Sequence, residues 1–149
     1  MSVSKKSGGK VTCRKKIDCS AYKDAVERTR YTMKPGSDTL GEPVPGSNSI
    51  GSAIGASTPD INSDAVETLS DYVNNSLYGN SGGVHNIGTK LRPLEPGECI
   101  KPRVLNCPSF TMDFETTAND PDSNGLSGLS MDGGGGPLSL GFEIVSDCN

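Results

Sequence analysis

The chain has 149 residues, enough for one domain, but Leu, Ile, Val and Phe account for only 29 of them and there is no Trp. Gly, Pro and Ser make up 48, a composition bordering on that of disordered chains, although a net charge of −4 is too mild to enforce disorder. Ordering the backbone costs about 1–2 kcal/mol per residue, so the expectation is a chain that borrows its shape from neighbours rather than filling a core of its own.

The charge is segregated. Residues 1–34 carry net +7, residues 35–89 net −6, residues 90–103 net +2 and residues 104–149 net −7. A basic head and an acidic tail result. Residues 1–19 read as a basic arm in which Lys5, Lys6, Lys10, Arg14, Lys15 and Lys16 are placed to lie on nucleic acid or an acidic protein surface. No apolar run follows the first lysines, so no signal peptide is expected, and no run is long enough to span a membrane. Five cysteines without a secretory signal predict reduced thiols in a cytosolic setting.

Residues 20–34 predict a short helix, capped by Ser20, with Tyr22, Val26, Thr29 and Met33 on one stripe and a stop at Pro35-Gly36. Residues 35–61 predict an extended Gly/Pro/Ser-rich segment with a repeat: PGSDTLG at 35–41 returns as PGSNSIG at 45–51. Two copies ten residues apart are too few and too short for a solenoid. They read as two successive turns, each presenting one aliphatic side chain, Leu40 or Ile50, to a partner surface.

Residues 62–78 predict the best helix. Either Asn62 is placed to cap it, with Ile61 and Val66 as a staple, or Asp64 and Glu67 form a capping box; Val66, Leu69, Val73 and Leu77 form its stripe, and Gly79 closes it. Residues 79–149 predict a loop-rich β unit. Phe110, Met112 and Phe114 alternate with Thr111, Asp113 and Glu115, while Leu138, Leu140, Phe142 and Ile144 share a face of the last strand. That strand follows four glycines, a tether suited to pairing with the 110–116 strand or to donation to a neighbouring subunit. The fold class is therefore α+β with large irregular content: one or two short helices and a small antiparallel β unit in the C-terminal third.

Few residues promise chemistry. Asp120, Asp122, Asn124 and Gly125 match the start of a calcium loop, with carboxylates converging on a hard cation. The match ends where Met131 stands in place of the bidentate Glu. The Asp/Asn/Gly content also builds a plain turn. The cysteine spacings at 13–19 and 99–107 are not those of zinc sites, though Cys99 and Cys107 are near enough in sequence to meet. His85, the only histidine, has no sequence neighbour that would make it a general base. No cofactor motif occurs.

The sequence thus predicts a non-enzymatic structural protein of a large assembly, a minor capsid or cement-type protein bridging larger subunits in a virion or cytoplasmic assembly. Leu40, Ile50, Val66, Leu69, Val73, Leu77, Leu138, Leu140, Phe142 and Ile144 are its expected docking anchors. No cofactor and no small-molecule substrate are expected. The alternatives are a calcium-dependent binding module at residues 120–132 and an adaptor gripping nucleic acid with its basic arm.

Overall fold

The computed structural model describes residues 2–5, 10–58, 61–78, 84–86, 91–117, 120–132 and 136–148. In these residues the chain is a mixed α+β structure. In order they form β1 (Ser2–Lys5), β2 (Lys10–Ile17), α1 (Cys19–Glu27), β3 (Tyr31–Met33), β4 (Leu40–Pro43), α2 (Ile50–Ala56) and α3 (Ser63–Tyr78). There follow β5 (Val84–Asn86), β6 (Cys99–Asn106), β7 (Ser109–Thr117), β8 (Asp120–Asp132) and β9 (Leu138–Val145). One sheet has the order β1-β2-β7-β8 and the other β4-β3-β6-β9-β5. All pairings are antiparallel except β5 with β9.

The alternating strands face as their sequences predict. Phe110, Met112 and Phe114 on β7 are buried, as are Leu138, Leu140 and Phe142 on β9. The two strands do not pair with each other, however. β7 lies between β2 and β8, and β9 between β6 and β5. The reason is that residues 120–132, read from sequence as a loop, are strand β8 and take the free edge of β7. The glycine stretch therefore stands in sequence where the chain leaves one sheet for the other.

The basic arm also folds into strand. β1 pairs with β2, and β2 pairs with β7 from Lys10↔Thr117 to Ile17↔Phe110. The oppositely charged head and tail of the chain thus meet. Arg14 Nε donates to Asp113 Oδ1 at 2.8 Å across the β2–β7 pair. Further along the head, Arg30 reaches Asp147 in the tail.

The helix predicted over 20–34 is split. α1 ends at Glu27, and Tyr31–Met33 joins the second sheet as β3. Tyr and Thr favour strand here because β4 and β6 offer edges to pair with. Asp18 rather than Ser20 stands at the N-cap of α1, but its carboxylate accepts from Ser109 Oγ instead of capping. β3 meets β6 only at Tyr31↔Ile100, and beyond that point the Glu27 carboxylate accepts from Val104 N at 2.9 Å. A helix side chain thus takes the place of a missing strand partner.

Residues 35–61 are not the extended segment expected. The two PGS units are turns, as predicted: Ser37 N donates to Lys34 O and Ser47 N to Val44 O. Each has Pro then Gly at its centre, with Gly36 and Gly46 at φ 74° and 88°, the pattern of a type II turn. The first leads into β4 and the second into α2, which Ser49 caps by accepting from Ser52 N. Leu40 and Ile50 are both buried, but inside this chain.

That last point holds generally. One core cluster gathers side chains from all three helices and from both sheets, including Ile17, Tyr22, Tyr31, Ile54, Leu69, Ile100 and Phe110. Eight of the ten expected docking anchors, namely Leu40, Ile50, Leu69, Val73, Leu77, Leu138, Leu140 and Phe142, are buried in it; Val66 and Ile144 are half-buried. The eight are core residues of this chain, and the expectation of a borrowed shape is corrected. Small side chains and glycine at crossing points let few apolar residues suffice. α3 is capped as predicted, Asn62 Oδ1 accepting from Ala65 N at 2.8 Å; the predicted stop at Gly79 lies outside the described residues.

The expectation of reduced thiols is corrected as well. Cys19 is bonded to Cys107, and Cys99 to Cys148 rather than to Cys107, with Cα separations of 5.4 and 5.8 Å. Cys13 is buried and free.

Two buried phenols knit the elements together. Tyr22 donates to Pro108 O and packs against Phe110. Tyr31 OH accepts from Ile50 N at 2.7 Å, supplying a partner for the first N–H of α2. The change Tyr31→Phe is expected to leave that buried N–H unsatisfied and to cost about 1–3 kcal/mol, read from the urea midpoint at unchanged slope. Desolvation holds the Tyr22 and Tyr31 hydroxyls far above the usual phenol range. The folded chain therefore keeps protons that the unfolded chain gives up. Stability is expected to be full below about pH 10 and to fall as pH rises above it, measured by denaturant midpoints from pH 8 to 11.5.

Candidate functional site

Among the described residues a groove of about 780 Å³ gathers polar side chains from several elements. α1 provides one wall, with Ser20, Asp24 and Arg28; the second PGS turn, with Ser47 and Asn48, provides another; Ser57 after α2 and Cys148 complete it. The turn is there because Pro45 and Gly46 reverse the chain between β4 and α2, and Ser47 Oγ accepts from Arg30 N at 2.8 Å. Val44 N in turn donates to Arg30 O at 2.9 Å.

Arg30 is the structural centre of this region. Its side chain is 11% exposed. Nη1 donates to Glu27 O and Thr29 O at 2.9 and 2.8 Å, satisfying carbonyls at the end of α1. Nε donates to Asp147 O at 3.0 Å and Nη2 to Asp147 Oδ2 at 3.2 Å. Hydrogen bonding from Arg30 holds the Asp147 carboxyl below its usual range. The C-terminal tail is thereby fixed to the end of α1, and the Cys99–Cys148 bond fixes it again one residue later.

A second charged cluster lies before β6. Arg92 Nη1 and Nη2 donate to the two oxygens of Glu98 at 2.8 and 2.6 Å, and Glu95 N also donates to Glu98. The Arg92 hydrogen bonds, followed by the Glu95 N–H, hold the Glu98 carboxyl down at about 2. This closes the turn that leads into β6; it is a structural device at an exposed site.

Asp120, Asp122 and Asn124 lie in β8, where Thr117 pairs with Asp120 and Glu115 with Gly125; the backbone there is extended rather than wrapped as a cation loop. Among the described residues no group of three His, Cys, Asp or Glu is placed to hold a metal. Lys5 and Lys10 are in strands β1 and β2; Lys6 lies outside the described residues. Arg14 and Lys16 point away from the core toward acidic partners, while Lys15 is half-buried. His85 is in β5, its backbone in register with Ser139.

The sequence reading missed the groove and the Arg30–Asp147 contact. Its one available signal was a cysteine beside an acid at the C-terminal end, which made a tie to the body of the chain worth testing. No described helix is long and apolar enough to cross a membrane. No family model, no curated protein and no solved structure matches the chain.

Proposed function

We propose that this chain is a non-enzymatic structural protein of a large assembly, of the minor capsid or cement type, engaging larger subunits through the edges of its four-stranded sheet. The observation that carries the reading is β8, a strand of 13 residues at the edge of that sheet. An edge strand presents a row of N–H and C=O groups that a partner strand can pair with. β8 contains Asp120, Asp122 and Asp132 and no base, which favours a basic partner edge. β1 offers a second, shorter edge on the opposite side. The aliphatic anchors of the sequence reading drop out, because the chain uses them itself. The two disulfides support a place in a virion, where such bonds persist, over a reducing cytoplasm.

Hydrogen exchange of the chain within the assembly it purifies with, compared with the released chain, tests this. Slower exchange in residues 120–132 on assembly is the expected result. Unchanged exchange in both 2–5 and 120–132 overturns it. Heat released on titrating the released chain with calcium would favour the binding-module alternative instead.

A further inference from the structure

We propose that residues 146–148 form a thiol-released strap that closes one end of the groove, with the Cys99–Cys148 disulfide as its latch. This goes beyond the assembly role and does not depend on it. The strap follows β9, whose last residue is Val145. Beyond that residue the described tail is held by the disulfide and by the pair of hydrogen bonds from Arg30 to Asp147 O and Oδ2, and Cys148 Sγ lies 3.2 Å from Gly97 O. Cys148 itself lines the groove.

The two disulfides are placed differently with respect to the core. Cys19 begins α1, and Cys107 stands between β6 and β7, so their bond ties elements within the fold. The other bond ties the body of the second sheet to a tail that makes no strand pairing. Cys99 is buried, 1% exposed, whereas Cys148 is half-buried and open to the groove side; Cys19 and Cys107 are both half-buried but packed against the core cluster. An incoming thiolate therefore attacks Cys148.

The reductant is a dithiol. Its thiolate attacks Cys148 Sγ, forming a mixed disulfide, and Cys99 leaves as a thiolate and takes up a proton. The second thiol of the reductant, deprotonated, then displaces Cys148. Two electrons and two protons pass to the protein, and the reductant is left as its own disulfide.

With the latch open, the strap keeps the Asp147 contact, which is weak because that side chain is 71% exposed, and the approach of the Cys148 sulfur to Gly97 O. Arg30 keeps its place through Glu27 O and Thr29 O. Its Nε and Nη2 donors are then turned to an open groove beside Arg28. The device widens a half-open polar groove at its Cys148 end and leaves an unpaired guanidinium edge there, under control of the thiol potential.

Graded reduction of the full chain with dithiothreitol, trapped by alkylation and read by peptide mass spectrometry, tests the latch. Cys99 and Cys148 are expected to label at about a tenfold lower dithiol concentration than Cys19 and Cys107, with the far-ultraviolet circular dichroism unchanged. At that point amide exchange should rise in 146–148 and in the facing segments 28–30 and 44–47. Cys148→Ser should show the same exchange pattern without reductant. Simultaneous labelling of all four cysteines, earlier labelling of Cys19 and Cys107, or a tail that stays protected once the Cys99–Cys148 bond is open each overturns the proposal. Should Cys148→Ser fail to fold, the graded reduction of the unaltered chain decides alone.

Discussion

The double change Cys19→Ser with Cys107→Ser is expected to lower stability by about 4 kcal/mol, at the upper end of what a single native disulfide contributes. The bond spans 88 residues, and in the chain-entropy account a longer closed loop restricts the unfolded ensemble more. Its location adds to that. Cys19 opens α1 directly after β2, and Cys107 lies between β6 in one sheet and β7 in the other. The bond therefore pins the first helix to the place where the chain passes between sheets, next to the Tyr22 contact with Pro108 O. For a chain with so few large apolar residues, a loss of this size is a large fraction of a typical net stability of about 5–15 kcal/mol. Guanidinium unfolding of the double variant, with Cys99 and Cys148 confirmed as still bonded, checks it. A midpoint within error of the parent chain would mean that the unfolded state is already compact around these segments.

The parts of the fold legible in sequence were those whose periodicity decides the face. The α3 stripe through Val66, Leu69, Val73 and Leu77 and the alternation in β7 and β9 are of this kind, and these side chains are buried as the patterns require except Val66 and Ile144, which are half-buried. The turns at Pro35-Gly36 and Pro45-Gly46 were legible too, because proline and glycine fix backbone angles locally. What failed was inference from amount. A scarcity of Leu and Ile predicts no internal core, but Tyr22, Tyr31, Met112 and three Phe supply bulk, and at Gly51 and Gly55 glycine brings α2 close against α3. Pairing failed for a different reason. β8 and the arm strands β1 and β2 carry polar, charged and glycine residues that read as loop or solvated terminus; they are strands because an edge of β7 or β2 satisfies their backbone, a long-range circumstance that local sequence does not carry. The groove was illegible for the same reason, since Arg30 and Asp147 are 117 residues apart.

The change Gly51→Ala is expected to be as damaging as losing a disulfide, although it replaces a poor helix former with the best one. In an exposed helix interior the exchange would gain about 1 kcal/mol from propensity. Here α2 crosses α3 at Gly51, and a Cβ at that position would stand 3.0 Å from both Ser70 N and Ser70 O, and closer still to Ser70 Cα. The obstacle is backbone in the middle of a 16-residue helix, so no side-chain rotation relieves it; one helix must move. Moving α2 disturbs Ile50 and Ile54 in the core, the Tyr31–Ile50 hydrogen bond and the Ser49–Ser70 hydroxyl contact at 3.0 Å. Overpacking of this kind costs about 1–3 kcal/mol where side chains can give way and more where they cannot, so the expected loss is about 3 kcal/mol or greater. Gly55→Ala supplies the internal comparison. Its Cβ would meet Val66 Cγ1 and Cγ2 at 2.9 and 3.0 Å, side-chain atoms of a half-buried residue that a small shift can clear. The loss at Gly55 should therefore be the smaller of the two, and Val66→Ala combined with Gly55→Ala should recover part of it, whereas Ser70→Ala combined with Gly51→Ala should recover nothing. Urea midpoints of the four variants check the order; equal losses at the two glycines would mean that α2 and α3 do not cross at Gly51 in solution.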